Sequence, residues 1–291
     1  MERLADADPT VVLTGGTSGI GAVAARKLAA TGATVAIVGR DEERGRRLAD
    51  DVTASTAGTV RFYGADLATQ AAVRRLATDV ADTYDRLDVL VHNAGLSSRE
   101  HTITDDDVEL TLAVNHLAPY LLTYELMDLL REGAPARVVV TASGVHARGD
   151  LAFDDLRLEE DYSAIDAYAR SKLANVAFTV ELADRLDESE IVANCFHPGF
   201  VPSTDLFRDA SLQVRLFARI AAAVPGVGTT LETGADRLVE LATAPEYGQR
   251  SGRYVGTDGP EDPAPAAADP ELRERLWRVS ADLVGVEPDW P

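Results

Sequence analysis

Short, almost unbroken apolar runs alternate along this chain with longer amphipathic stretches. The runs Thr10–Leu13, Thr34–Val38, Thr59–Tyr63, Val89–His92, Arg137–Thr141, Ile191–Phe196 and Arg253–Val255 predict strands, most of them covered on both faces. Between them, apolar positions at helical spacing predict helices over Ile20–Thr31, Glu42–Ala54, Gln70–Tyr84, Asp106–Arg131, Ile165–Asp187 and Thr229–Ala242. Alternation of this kind implies right-handed crossovers and an α/β fold: one doubly wound parallel sheet of about seven strands with helices on both faces. No internal repeat or interior linker divides residues 1–291, so a single domain is expected. The segment Asp258–Asp269, rich in Pro, Ala and acids, reads as an irregular connection. A last helix over Pro270–Val284 follows, with Leu272, Leu276, Trp277, Val279 and Leu283 at roughly helical spacing. Asp269 suits its N-cap and Pro270 its first position.

Composition narrows the partners. The 48 acidic residues exceed the 28 basic ones, giving a formal net charge of −20. Such a surface repels nucleic acid and anionic membranes. The basic residues are 26 Arg and 2 Lys, and the acids are dominated by Asp. This balance suits a salt-accumulating halophile, whose ionic strength screens the self-repulsion. The single cysteine, Cys195, lies in an apolar run and reads as a small buried hydrophobe; no intramolecular disulfide can form, which fits a reducing cytoplasm. The start, Met1 to Asp8, has no signal-peptide pattern, and no apolar stretch is long enough to span a bilayer.

The first strand runs into Thr14-Gly15-Gly16-Thr17-Ser18-Gly19-Ile20-Gly21, where a helix begins. Glycines there permit a tight turn and close backbone approach to a pyrophosphate, which the helix N-terminus favours. The competing reading is close packing of helix on sheet. The second strand ends Val38-Gly39-Arg40-Asp41. Gly39 takes the place of the acid that would bind an adenosine ribose, and Arg40 can pair with a 2′-phosphate, so NADP(H) is favoured over NAD(H). Asp41 reads as the next N-cap.

Tyr168 and Lys172 form the second focus. One of only two lysines in the chain stands one helical turn after a tyrosine, on the same helix face. A cation near a phenol lowers its pKa toward a range useful in proton transfer.

Taken in order, these residues resemble the short-chain dehydrogenase/reductase family, from Thr10 to about Val284. Gly15, Thr17, Ser18, Gly19, Ile20 and Gly21 match its cofactor turn. Asp66-Leu67 matches the pair at the adenine, and Asn93-Ala94-Gly95 the motif that supports the sheet and lines the cofactor. Asn115, Ser143, Tyr168 and Lys172 match the active-site residues; Pro198, Gly199, Val201 and Ser203 match the segment on the nicotinamide side. The stretches Ser171-Lys172-Leu173-Ala174-Asn175 and His197-Pro198-Gly199-Phe200-Val201, the long gap from Ser143 to Tyr168 and Leu276-Trp277 resemble the retinol dehydrogenase-like branch. His92 departs from the branch pattern and reads as structural. His146, three residues after Ser143, could border the pocket.

The resemblance implies a Rossmann fold and hydride transfer between nicotinamide and an alcohol or carbonyl carbon, loosely a bulky apolar one. Tyr168 would be the general acid/base, Lys172 would tune it and hold the nicotinamide ribose, Ser143 would bind the substrate oxygen, and Asn115 would hold a water. Residues 200–228 would form a substrate lid, and the Asp106–Arg131 and Ile165–Asp187 helices part of a homodimer or homotetramer interface. A dinucleotide-binding sensor or scaffold, and a sugar-nucleotide epimerase or dehydratase, are the alternatives. The full set of four active-site residues argues against the first, and the glycine spacing against the second.

Overall fold

The computed structural model describes residues 8–159, 161–186, 191–201 and 228–291. Its centre is an 8-stranded sheet in the order β3-β2-β1-β4-β5-β6-β7-β8. The strands are β1 (Thr10–Thr14), β2 (Thr34–Gly39), β3 (Thr59–Gly64), β4 (Val89–His92), β5 (Ala136–Thr141), β6 (Ile191–Phe196), β7 (Tyr254–Val255) and β8 (Pro260–Glu261). Strands β1 to β7 pair in parallel, and β8 returns antiparallel to β7. Strand β8 lies inside the segment expected to be irregular. A tight turn with Gly259 at φ 129° and a Gly256 N–H to Gly259 carbonyl bond of 2.8 Å reverses the chain there.

The helices are α1 (Gly19–Ala30), α2 (Glu42–Ser55), α3 (Gln70–Ala81), α4 (Leu110–Leu112), α5 (Ala118–Glu125), α6 (Met127–Glu132), α7 (Ala164–Arg185), α8 (Leu231–Thr243), α9 (Pro265–Ala268) and α10 (Pro270–Val284). Side chains alternate across each strand, which sorts the core into two layers. Val12, Ala36, Leu90, Val138, Val140 and Cys195 pack on one face with α3, α5, α7 and α10. Val11, Leu13, Val35, Ile37, Val89 and Val139 pack on the other with α1, α2 and α8. Both faces of the sheet are therefore covered, which is why its strands read as continuous apolar runs.

The stretch expected as one helix over Asp106–Arg131 is broken. Asp107 turns at φ 65°, and the buried Glu109 carboxylate accepts from the N–H groups of Thr111 and Leu112 at 2.8 and 2.9 Å, so the helix starts at Leu110. Residues Ala113–Leu117 then widen into a π-helical turn before α5, and Leu126 leaves the helical region between α5 and α6.

The C-terminal helix α10 is capped by Asp269, whose carboxylate accepts from Glu271 N–H at 3.0 Å. It lies over α7, and the chain end closes an aromatic cluster. The Trp277 and Trp290 rings are 4.4 Å apart, and Trp290 Nε1 donates to the Tyr120 hydroxyl on α5 at 2.9 Å. Consequently α7 has no exposed residue between Ala167 and Ala183. Of the two helices expected at an oligomer contact, α7 has its middle covered within the chain, with Ile165, Asp166 and Asp184 exposed towards its ends.

Candidate active site

The sheet order reverses between β1 and β4, and the carboxyl ends of the strands around that point gather the residues singled out above. Thr14 ends β1 and organises the crossing. Its hydroxyl donates to the Val91 carbonyl at 3.3 Å and accepts from the backbone N–H groups of Asn93 and Ala94 at 3.0 and 3.1 Å. Asn93 returns the contact: Nδ2 donates to the carbonyls of Thr14 and Gly15, both at 3.2 Å. The turn after β1 is thereby locked to the turn after β4.

Within the turn the glycines divide by role. Gly15 has φ 65°, and a Cβ there would stand 2.8 Å from Ala94 Cα. A Cβ on Gly21 would overlap the Gly15 carbonyl oxygen and come within 2.7 Å of Asn93 Nδ2. Gly19, at φ 52°, is different: its Cβ would meet nothing closer than Leu231 Cδ2 at 4.0 Å. It opens α1, whose N-cap Ser18 makes no side-chain cap bond. No side chain among the described residues thus caps the start of α1, as a pyrophosphate seated there would require. The residues present fit a dinucleotide.

At the end of β2, a Cβ on Gly39 would lie 2.7 Å from both Thr17 Cγ2 and Thr17 Oγ1, so Thr17 occupies the room an acid would need. Arg40 is exposed and enters no ion pair among the described residues. Asp66 is exposed and accepts from Ala68 N–H at 3.1 Å.

On the other side of the switch point stand the four residues expected to carry the chemistry. Lys172 is 3% exposed, and its ammonium donates to the Thr141 carbonyl at 2.8 Å. It lies 5.6 Å from the centre of the Tyr168 ring. Gly95 leaves room for it: a Cβ there would be 3.5 Å from Lys172 Nζ and 3.4 Å from Asn115 Oδ1. Burial pushes Lys172 down to about 8. The expected lowering of the Tyr168 pKa does not occur. Burial pushes the phenol up to about 12, and a hydrogen bond with the Ser143 hydroxyl offsets only part of that. Desolvation outweighs that bond, so the phenol stands above its ordinary value.

Asn115 sits in the π-helical turn, fully buried. Its Nδ2 donates to the Leu96 carbonyl and to Ser171 Oγ, both at 2.9 Å, and its Oδ1 accepts from Leu96 N–H at 2.8 Å. The side chain therefore braces the turn after β4 against α7. A water would have to use its remaining carbonyl lone pair or the backbone. Pro198 and Gly199 follow β6; a Cβ on Gly199, at φ 78°, would overlap the Thr229 hydroxyl, and Val201 is buried. Ser203 and most of the expected lid, residues 202–227, lie outside the described residues.

Two residues that the sequence offers only as members of matching stretches, with no role of their own, complete the arrangement. Thr14 brackets the two turns as described. Ser171 donates to the Tyr168 carbonyl at 2.8 Å while accepting from Asn115. His92 is buried, with Nε2 2.8 Å from Thr123 Oγ1. Since that hydroxyl donates to the Pro119 carbonyl at 2.7 Å, His92 is the donor of the pair.

Comparison with known proteins agrees with this geometry. The profile of the short chain dehydrogenase family matches residues 9–214. Human retinol dehydrogenase 14 (Homo sapiens) is 35% identical over 291 residues, covering 95% of this chain and 86% of that protein. A Mycobacterium Paratuberculosis protein superimposes with a TM-score of 0.77 at 32% identity, over 98% of this chain and 97% of its own. A short chain dehydrogenase from Burkholderia cenocepacia J2315 in complex with NADP does so with a TM-score of 0.68 at 29% identity, over 86% and 96%. The matches over most of the chain place it in the short-chain dehydrogenase/reductase family, in its retinol dehydrogenase-like branch, as an NAD(P)-dependent oxidoreductase acting on CH–OH groups.

Proposed function

We propose that this enzyme is NADP(H)-dependent and interconverts an apolar aldehyde or ketone with its alcohol, with Tyr168 as the proton-transferring group. The observation that carries the reading is the buried Lys172 beneath Tyr168, at 5.6 Å from its ring centre, beside the hydroxyl of Ser143. The bound nicotinamide supplies or accepts the hydride. Ser143 holds the substrate oxygen by a hydrogen bond that strengthens as charge develops there. Tyr168, protonated at neutral pH, gives its phenolic proton to that oxygen in reduction and takes it back in oxidation. Lys172, cationic in the family's working state, stabilises the phenolate left behind and holds the nicotinamide ribose hydroxyls. Gly15, Thr17, Ser18, Gly19, Ile20 and Gly21 cradle the pyrophosphate, with Asp66 and Leu67 at the adenine. Arg40 meets the 2′-phosphate, which Gly39 leaves uncontested. Asn93, Ala94, Gly95, Pro198, Gly199, Val201 and Ser203 line the nicotinamide side.

Among the described residues no helix is long and apolar enough to cross a membrane. We place the protein in the cytoplasm of a halophile, on its acidic surface and single buried cysteine. Because α7 is covered by α10, a homodimer or homotetramer would use another face.

The test is incubation at molar salt with NADPH and a panel of aldehydes and ketones, following the reduced-nicotinamide absorbance. Tyr168→Phe is expected to remove turnover while NADPH still binds. Turnover by that variant at the level of the parent would refute the role of Tyr168. NADPH binding without oxidation across the panel would favour a sensor.

A further inference from the structure

We infer that His146 is a positioning residue for Ser143, acting as a neutral strut between the active-site turn and the C-terminal segment. The inference rests on the oxidoreductase reading above. Ser143 is the N-cap of the short 3₁₀ turn Gly144–Arg148, in extended conformation. Its hydroxyl is barely engaged by that turn, with Val145 N–H at 3.5 Å. Beyond its bond with the Tyr168 phenol, where the hydroxyl sits depends on the Ser143 backbone, and what holds that backbone is its carbonyl. That oxygen accepts from the His146 backbone N–H at 3.0 Å and stands 2.9 Å from His146 Nδ1. The far side of the same ring accepts from Ala264 N–H, with Nε2 at 3.0 Å, 118 positions along the chain.

The two ring bonds fix the chemistry of His146. Nε2 must carry a lone pair to accept from Ala264 N–H, so the proton sits on Nδ1 and is donated to the Ser143 carbonyl. A doubly protonated ring would set two N–H groups against each other at Ala264. Its environment favours the neutral form: the ring is 4% exposed and packs against Tyr254 with centroids 4.6 Å apart. Besides Tyr254, the titratable groups that act on the ring are His197 and Glu261. They hydrogen-bond each other at 3.2 Å, with His197 Nδ1 accepting from Gly199 N–H, and neither bonds to His146. Ala264 precedes α9, which packs on α7, the helix of Tyr168 and Lys172. One imidazole thus ties the serine's turn to the scaffold that holds the other two groups.

Three variants separate positioning from simple structure. His146→Phe keeps a ring against Tyr254 and loses both bonds. His146→Asn places an amide N–H where Nδ1 donates, without reaching Ala264. His146→Gln reaches toward Ala264 and cannot serve the Ser143 carbonyl. With a carbonyl substrate found in the panel, His146→Phe is expected to lower kcat about tenfold to hundredfold, the scale of a misplaced reacting group. NADPH affinity should stay unchanged, and Asn should recover most of the loss while Gln should not. Parent-like kcat in the Phe variant, or rescue by Gln and not by Asn, would overturn the inference. If the Phe variant fails to fold, the Asn and Gln pair carries the comparison. Nitrogen-15 spectra of the five histidines give a readout independent of turnover. The resonance lost in the Asn variant should show the Nδ1–H tautomer at neutral pH, and an Nε2–H or doubly protonated ring there would also overturn it. Absence of turnover in the parent would refute the oxidoreductase reading instead, leaving the tautomer measurement standing on its own.

Discussion

Substituting Gly19 and Gly21 by alanine, one at a time, distinguishes a phosphate cradle from a packing device. Gly19 has φ 52° and open space where its Cβ would stand, with the nearest protein atom at 4.0 Å. Alanine there carries only the left-handed backbone penalty, about 1–2 kcal/mol. For a chain of this size that lowers Tm by about 2–4 °C for each kcal/mol. If that space holds the pyrophosphate, the methyl displaces one or two charge-assisted hydrogen bonds from the α1 N-terminus, worth about 1.5–3 kcal/mol each. NADPH affinity then falls at least about tenfold, since about 1.4 kcal/mol is a factor of ten. Gly21→Ala drives its methyl into the Gly15 carbonyl and to 2.7 Å from Asn93 Nδ2, so it damages the bracket between the turns and costs more stability. The assays are a fluorescence titration with NADPH and a thermal melt on each variant. A Gly19→Ala protein that is slightly less stable yet binds NADPH like the parent would refute the cradle. Equal losses of stability in both variants would do the same for the division of roles.

Further outcomes follow from other parts of the molecule. His92 and His116 are buried and held to about 3 by desolvation. The unfolded chain takes up their protons near pH 6.5 and the folded chain does not, so stability is full above 6.5 and falls as the pH drops toward 3. The slope is about 1.4 kcal/mol per pH unit for each histidine, and a His92→Gln, His116→Gln double variant should lack it in denaturant titrations at pH 7 and 5. Gly39→Asp alone should not create NADH binding, because its Cβ would lie 2.7 Å from Thr17 Oγ1. Added Thr17→Ala should open that room, and titrations with both nucleotides decide between the two. Trp290→Ala removes a ring 4.4 Å from Trp277 and the donor to Tyr120. It should cost about 3–5 kcal/mol, read as a lowered Tm.

How much of this was visible in the chain depends on what the pattern encodes. The apolar runs disclosed the parallel strands because both faces are buried, and every predicted strand has its counterpart in the sheet. Strand β8 was missed because its antiparallel pairing rests on a glycine turn and a contact of only two residues, Pro260–Glu261, both exposed. The break in the Asp106–Arg131 helix was equally hidden. Its cause is Asp107 in the left-handed region and the inward Glu109 carboxylate, neither of which alters the apolar period. On α10 the buried stripe includes Arg273 and Ser280, polar residues that spacing alone puts on a wet face. They are inside because Asp184 and His116 wait for them across α7 and the π-helical turn, at 2.9 and 2.8 Å. Arg137, the second residue of β5, is buried for a similar reason, since its guanidinium caps the end of α8 by donating to the Leu241 and Ala244 carbonyls at 3.0 and 2.8 Å. Long-range polar partners of this kind leave no local periodicity to read.

The tyrosine shows the same limit in chemical form. From sequence, a lysine one turn away argued for an acidified phenol. Folding buries both groups, and burial acts on each in opposite senses: it raises the phenol to about 12 and lowers the ammonium to about 8. The pair is therefore a protonated phenol beside an ammonium whose proton burial has loosened. The same environment that makes phenolate unfavourable in the ground state makes every donor aimed at a developing oxyanion count for more. On the proposed role of Ser143 as that donor, the bonds that orient its backbone, rather than the lysine alone, become the natural place to look for control of the reaction.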